Sequence, residues 1–145
     1  MSDELPVLPP QRPALHPTVD EAMIRRLVFA FYGKVREDPT LAPVFAAAIE
    51  DWQPHLEKMC DFWSSVALGS GRYKGRPVPA HFRLPGLTPA HFERWLALFR
   101  ETAAEVAGPE AAPLFVERAE RIAQSLQLAL FFRPGAAAWP AGPGR

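Results

Sequence analysis

Four stretches of the chain carry apolar residues at helical intervals. Ile24, Leu27, Val28, Phe31 and Val35 fall at i, i+3, i+4, i+7 and i+11, one stripe on one helix. Trp52, Leu56, Met59, Trp63 and Val66 form a second stripe, and Phe92, Trp95, Leu96 and Phe99 a third. Phe115, Ala119, Ile122, Leu126 and Leu130 form the fourth. Proline avoids the windows 18–38, 55–76, 90–108 and 114–133, each of helical length. The ends are signalled too. Thr18 with Glu21 makes a capping-box pair, Asp51 is placed to cap the second helix, and Pro54 is tolerated in its first turn. Thr88 caps the third helix, Pro89 takes its first position and Gly108 stops it. Leu41 to Ile49 adds a short helical turn despite Pro43. No segment alternates as a strand does, so the pattern predicts an all-α fold.

The stripes are unevenly joined. Gly69 to Pro89 holds four Gly and four Pro, together with Tyr73 and His81, and lacks a continuous stripe. Compact domains seldom keep so long an irregular connection without a use for it. One short helical turn is expected there, around His81 and bounded by Pro79 and Pro85. Five prolines in residues 1–17 predict an extended, mobile tail, and the Pro-, Gly- and Ala-rich residues 134–145 predict a second. A single domain over 18–133 is expected between them.

Composition narrows the function classes. The 145 residues suffice for one core. Sixteen Lys+Arg balance sixteen Asp+Glu, which argues against nucleic-acid binding and against a polybasic membrane surface. Cys60 is the single cysteine, so an intramolecular disulfide, a cysteine zinc site and a covalent Cys-x-x-Cys-His haem attachment are all excluded. The start of the chain is unlike a signal peptide, and no apolar run approaches the ~20 residues of a membrane span. A cytoplasmic location is expected, with no membrane partner.

The residues with chemistry are few. His16 is expected to be exposed and idle in the tail. His55 sits at the edge of the second stripe, His81 in the irregular connection beside Phe82 and Leu84, and His91 one turn from Trp95. Taken singly, each reads more readily as a structural histidine than as a ligand. Zinc spacing is absent. Ser64 and Ser65 lie mid-helix without a strained turn, Cys60 reads as a small half-buried thiol, and Glu57 and Asp61 read as a solvated stripe. One geometrical possibility remains. His55 and His81, 26 residues apart, can face each other across a flat apolar ligand such as haem. Ten Phe, four Trp and two Tyr can line such a plate, although on composition alone core packing accounts for them better.

The ordered motifs carry a resemblance. Phe31-Tyr32-Gly33-Lys34-Val35-Arg36, Asp38-Pro39-Thr40-Leu41-Ala42-Pro43-Val44-Phe45 and Asp51-Trp52-Gln53-Pro54-His55-Leu56 are followed by Asp61-Phe62-Trp63-Ser64 and Tyr73-Lys74-Gly75-Arg76-Pro77. His81-Phe82-Arg83-Leu84-Pro85, His91-Phe92-Glu93-Arg94-Trp95-Leu96 and Arg118-Ala119-Glu120-Arg121-Ile122-Ala123 complete the series. Over roughly residues 20–131 the set resembles the group III truncated haemoglobins, and the absence of the Gly-Gly pairs of the other groups agrees.

That resemblance implies a two-over-two helical sandwich around a non-covalent haem b (iron protoporphyrin IX). It implies His81 as the proximal iron ligand, with His91 as the competitor because it shares a face with Trp95. Tyr32, next to Phe31, is implied as the distal tyrosine, Trp95 as the distal tryptophan and His55 as the distal histidine. Met59 would pack over the distal face. Tyr73 and Arg83 join the expected haem-contacting set, and Lys74, Arg76 and Arg83 are candidates for the propionates. Tyr32 and Trp95 each offer one donor hydrogen on an apolar body, worth about 1–3 kcal/mol to bound dioxygen. The implied function is binding of dioxygen and other diatomic ligands, suited to retention rather than rapid delivery. The alternative is redox turnover at the same haem, nitric oxide dioxygenation or peroxide reduction, with an external reductase as partner. A haemless helical interaction module is the third reading, and an absorbance spectrum separates it from the other two.

Overall fold

The computed structural model describes residues 14–73 and 86–131. Helices α1 (Glu21–Glu37), α2 (Ala42–Ala48) and α3 (Trp52–Leu68) come first. A helical run Pro89–Phe131 follows, broken at Gly108 into α4 (89–107) and α5 (109–131). Among the described residues there is no strand, and the all-α expectation holds. The expected turn between Pro79 and Pro85, and most of both tails, lie outside the described residues.

The first stripe becomes the centre of the molecule. Ile24, Leu27, Val28, Phe31 and Val35 are all buried, and α1 packs on α2, on α3 and on the α4–α5 layer. Each such side chain contributes about 1.5–3 kcal/mol by leaving water. Between the layers Trp63 of α3 stacks on Phe99 of α4, with ring centroids 5.1 Å apart, and meets Phe115 of α5 at 5.9 Å. Two helices thus lie over two.

The start of α1 differs from the sequence reading. Asp20, not Thr18, is the N-cap, and its carboxylate accepts from Met23 N at 2.8 Å. Both residue types cap well, and Asp20 is the one adjacent to the first helical residue. Glu21 therefore has no capping role and accepts instead from the buried Ser64 hydroxyl at 2.6 Å. Thr18 donates its backbone N–H to His16 Nδ1 at 3.2 Å. The expectation of an idle, exposed His16 is corrected as well. Leu15 packs on the core and its N–H donates to Ala67 O at 2.9 Å, which leaves His16 half-buried with Nε2 3.4 Å from Glu110 Oε1.

The remaining ends follow their chemistry. Asp51 caps α3 by accepting from Gln53 N at 3.3 Å, and Gly69 closes it in the left-handed conformation at φ 67°. Ser65 then accepts from Tyr73 N at 2.9 Å, which ties the first residues of the connection to α3. Gly108 adopts φ 84° and ψ 172°, a region open to glycine almost alone, and turns the chain between α4 and α5. The helix of the fourth stripe, α5, begins at 109 rather than 114. Pro109 suits a first helical position, and Pro113 forfeits only one early hydrogen bond.

One buried carboxylate braces this frame. Asp38, at the end of α1, accepts from Thr40 N and Leu41 N at 3.0 Å each and from Arg94 Nε at 2.7 Å. It joins the α1–α2 turn to α4. Among the described residues no helix is long and apolar enough to cross a membrane.

Candidate functional site

Consecutive residues on a helix point about 100° apart, and α1 uses this to send two rings to different neighbours. Phe31 faces α4, with Trp95 at 5.5 Å and Phe99 at 5.2 Å. Tyr32 faces α2 and α3, with Phe45 and Trp52 each at 6.0 Å and His55 at 5.2 Å. His55 stands edge-on to Trp52 as well, at 5.5 Å in the first turns of α3. Four of the residues singled out from sequence, Phe31, Tyr32, His55 and Trp95, therefore meet in one aromatic wall. Met59, one turn after His55, is half-buried against the same core.

Tyr32 is only 3% exposed. Burial drives its pKa well above the ordinary tyrosine value, and the nearby Trp95 indole opposes that shift in part. An indole can only donate.

Tyr73 does not join this wall. Its ring packs on Phe62 at 5.3 Å, beyond the opposite end of α3 from His55. His81, Arg83, Lys74 and Arg76 lie outside the described residues. Cys60 is half-buried on α3, and burial pushes its thiol pKa up to about 11.

A second wall adjoins the first. Leu41, Phe45, Leu87, His91, Phe92, Trp95 and Leu126 line a recess of about 340 Å³, its open mouth included. Phe45 and Trp95 belong to both walls, so the recess continues from the Tyr32 cluster. Five of its residues, Leu41, Phe45, Leu87, Phe92 and Leu126, were not among the candidates. They come from three separate segments, and their local signals were the i, i+4 pair Leu41 and Phe45 and the places of Phe92 and Leu126 in the third and fourth stripes.

Among the described residues of that wall, His91 carries the one polar side chain apart from the indole of Trp95. Thr88 donates its backbone N–H to His91 Nδ1 at 3.0 Å, and the Thr88 hydroxyl lies 2.9 Å from the same nitrogen. A backbone N–H can only donate, so Nδ1 presents its lone pair and the neutral ring carries its hydrogen on Nε2. Ligation of a metal through Nε2 would move that hydrogen to Nδ1, against the Thr88 N–H, and would undo the start of α4. His91 is thereby disfavoured as an axial ligand.

The bacterial-like globin family model matches residues 19–130. The chain belongs to that globin family. It is 37% identical over 118 residues to the group 3 truncated hemoglobin ctb of Campylobacter jejuni, covering 79% of this chain and 93% of the relative. The crystal structure of the group III truncated hemoglobin from Campylobacter jejuni superposes with a TM-score of 0.75 at 34% identity. That superposition covers 89% of this chain and 98% of the other. The globin is thus of the group III truncated kind, with the two-over-two fold of that group.

Globin membership implies haem binding, and the described residues suit it. A flat macrocycle with an apolar body and a polar centre needs long apolar walls and few, well-placed polar groups. The contiguous walls supply aromatic and aliphatic faces through Phe45, Phe92, Trp95, Leu87 and Leu126. The Tyr32 hydroxyl, the Trp95 N–H and the His55 imidazole are grouped on one side.

Proposed function

We propose that this globin binds dioxygen and other diatomic ligands at a haem b held by His81, with Tyr32 and Trp95 as the donors that retain the ligand. One observation carries the reading. A nearly inaccessible phenol stands inside an aromatic wall close enough to the Trp95 indole for the two to interact, so two donor hydrogens lie together where bulk water competes little. Haem, when bound, would supply an iron able to take up a diatomic ligand, with His81 as the residue that would hold it.

The rest is the work of the chain. Phe31 and Phe99 hold the Trp95 ring from two sides. Phe45, Trp52 and His55 surround the Tyr32 ring and keep water from competing for its hydroxyl. Met59 extends the apolar face by one turn. Donors placed this way favour a ligand that gathers negative charge on binding, so dioxygen gains more than carbon monoxide. The non-covalent form of the cofactor is supported by the single cysteine, which cannot make a paired thioether attachment.

An absorbance spectrum of the purified, reduced protein, alone and with dioxygen or carbon monoxide, tests this function. A Soret band that shifts reversibly with each gas is expected. A chain that takes up no haem, or whose Soret band ignores both gases, rules the function out.

A further inference from the structure

We infer that His91 is a second polar anchor for the flat ligand, donating from Nε2 to a carboxylate at its edge, which for haem is a propionate. The inference rests on the haem reading above but uses a group which that reading leaves idle.

Three observations lead to it. The bond from Thr88 N to Nδ1 at 3.0 Å fixes the neutral tautomer, so Nε2 carries a hydrogen whenever the ring is uncharged. The ring is also held in place, because the same nitrogen meets the Thr88 hydroxyl at 2.9 Å and the His91 N–H donates to Thr88 O at 3.0 Å. A donor fixed in this way gives up little side-chain freedom when it binds. Finally, the imidazole stands in a wall formed otherwise of Leu41, Phe45, Leu87, Phe92, Trp95 and Leu126, none of which has an acceptor side chain.

Among the described residues no carboxylate lines that wall, so one that meets the imidazole N–H is expected to arrive with the ligand. His91 thus changes role, from competitor for the iron to holder of the macrocycle edge.

The test pairs a variant with a modified ligand. Full-length wild type and His91→Leu are each loaded with haem and with its dimethyl ester, whose two propionates are masked. The rate of porphyrin transfer to an excess of an apo acceptor protein is followed at the Soret band. His91→Leu should release haem about 10-fold faster than wild type, the effect of one hydrogen bond to a charged group. The dimethyl ester should leave both proteins at nearly equal rates. Loss of the Thr88 bond weakens retention of both porphyrins alike and so cancels in the comparison. Equal acceleration for both porphyrins, or none for either, overturns the inference while leaving the haem reading intact. A wild-type chain that takes up neither porphyrin overturns the haem reading itself, and this inference with it.

Discussion

The two walls of the site share Phe45 and Trp95 yet handle polarity in opposite ways. In the Tyr32 wall the polar side chains are Tyr32, His55 and Trp95, and the phenol and the indole each bring a donor hydrogen into an aromatic surround. In the recess wall the added polar side chain, His91, has its lone pair tied to the backbone of Thr88 and retains only a donor hydrogen. The first arrangement suits a small guest that accepts hydrogen bonds. The second suits an apolar body and refuses a metal.

The sharpest way to break that division is to exchange the histidines. His81→Ala should abolish stable haem retention and axial histidine ligation, read from the Soret band of the purified protein. His91→Ala and His16→Ala should leave the axial signature nearly unchanged, because His91 holds the Thr88 cap and His16 meets Glu110. Loss of axial histidine ligation in His91→Ala instead would reverse the assignment of the walls.

Next in size is the brace that holds the walls together. Asp38 fixes the turn that carries Leu41 and Phe45 and bonds Arg94, the neighbour of Trp95. Asp38→Ala should cost about 2 kcal/mol in denaturant unfolding, since it strands the buried Leu41 N–H and removes the charge-assisted bond from the half-exposed Arg94. Burial of this carboxylate opposes its ionisation, but the Arg94 bond and the two backbone bonds outweigh burial and hold its pKa below the usual 3.8. The folded chain therefore binds that proton less readily than the unfolded chain. The contribution of Asp38 is complete above about pH 4 and is lost as pH falls through the folded value. The variant should show a flatter acid limb than wild type in the same unfolding measurement.

A smaller change should touch one wall and spare the other. Gly108→Ala places a side chain in open space but at φ 84°, so the cost is backbone strain of about 2 kcal/mol. Relief of that strain would re-angle α5 and with it Leu126 of the recess, while Tyr32, His55 and Trp95 lie on other helices. A fall in melting temperature with little change in the carbon monoxide spectrum is the expected result.

The helices were legible because a 3.6-residue stripe repeats its signal over several turns, as Ile24 to Val35 shows. Their ends were less so. Thr18 and Asp20 are comparable caps, and choosing between them needs the geometry of Met23 N. The start of α5 was missed because avoidance of proline placed it after Pro113, although proline is at home in a first turn. In the site, Phe31, Tyr32, His55 and Trp95 were named from ordered motifs and do meet. Leu87 and Leu126 carried no such mark, since they become neighbours only when α4 and α5 fold together. Tyr73 was grouped with the haem set by its place in the chain, and its ring packs on Phe62. The role of His91 depends on a single 3.0 Å bond that no spacing encodes.

Dioxygen dissociation from the reduced protein, followed by stopped flow, tests the central claim most directly. Tyr32→Phe keeps the ring and removes only the hydroxyl, so release should quicken roughly 10-fold, equivalent to about 1.4 kcal/mol. Trp95→Phe should act in the same direction, and the double variant Tyr32→Phe/Trp95→Phe should exceed either, with carbon monoxide release changing less. A double variant that releases dioxygen at the wild-type rate would contradict the account and leave both rings as packing alone.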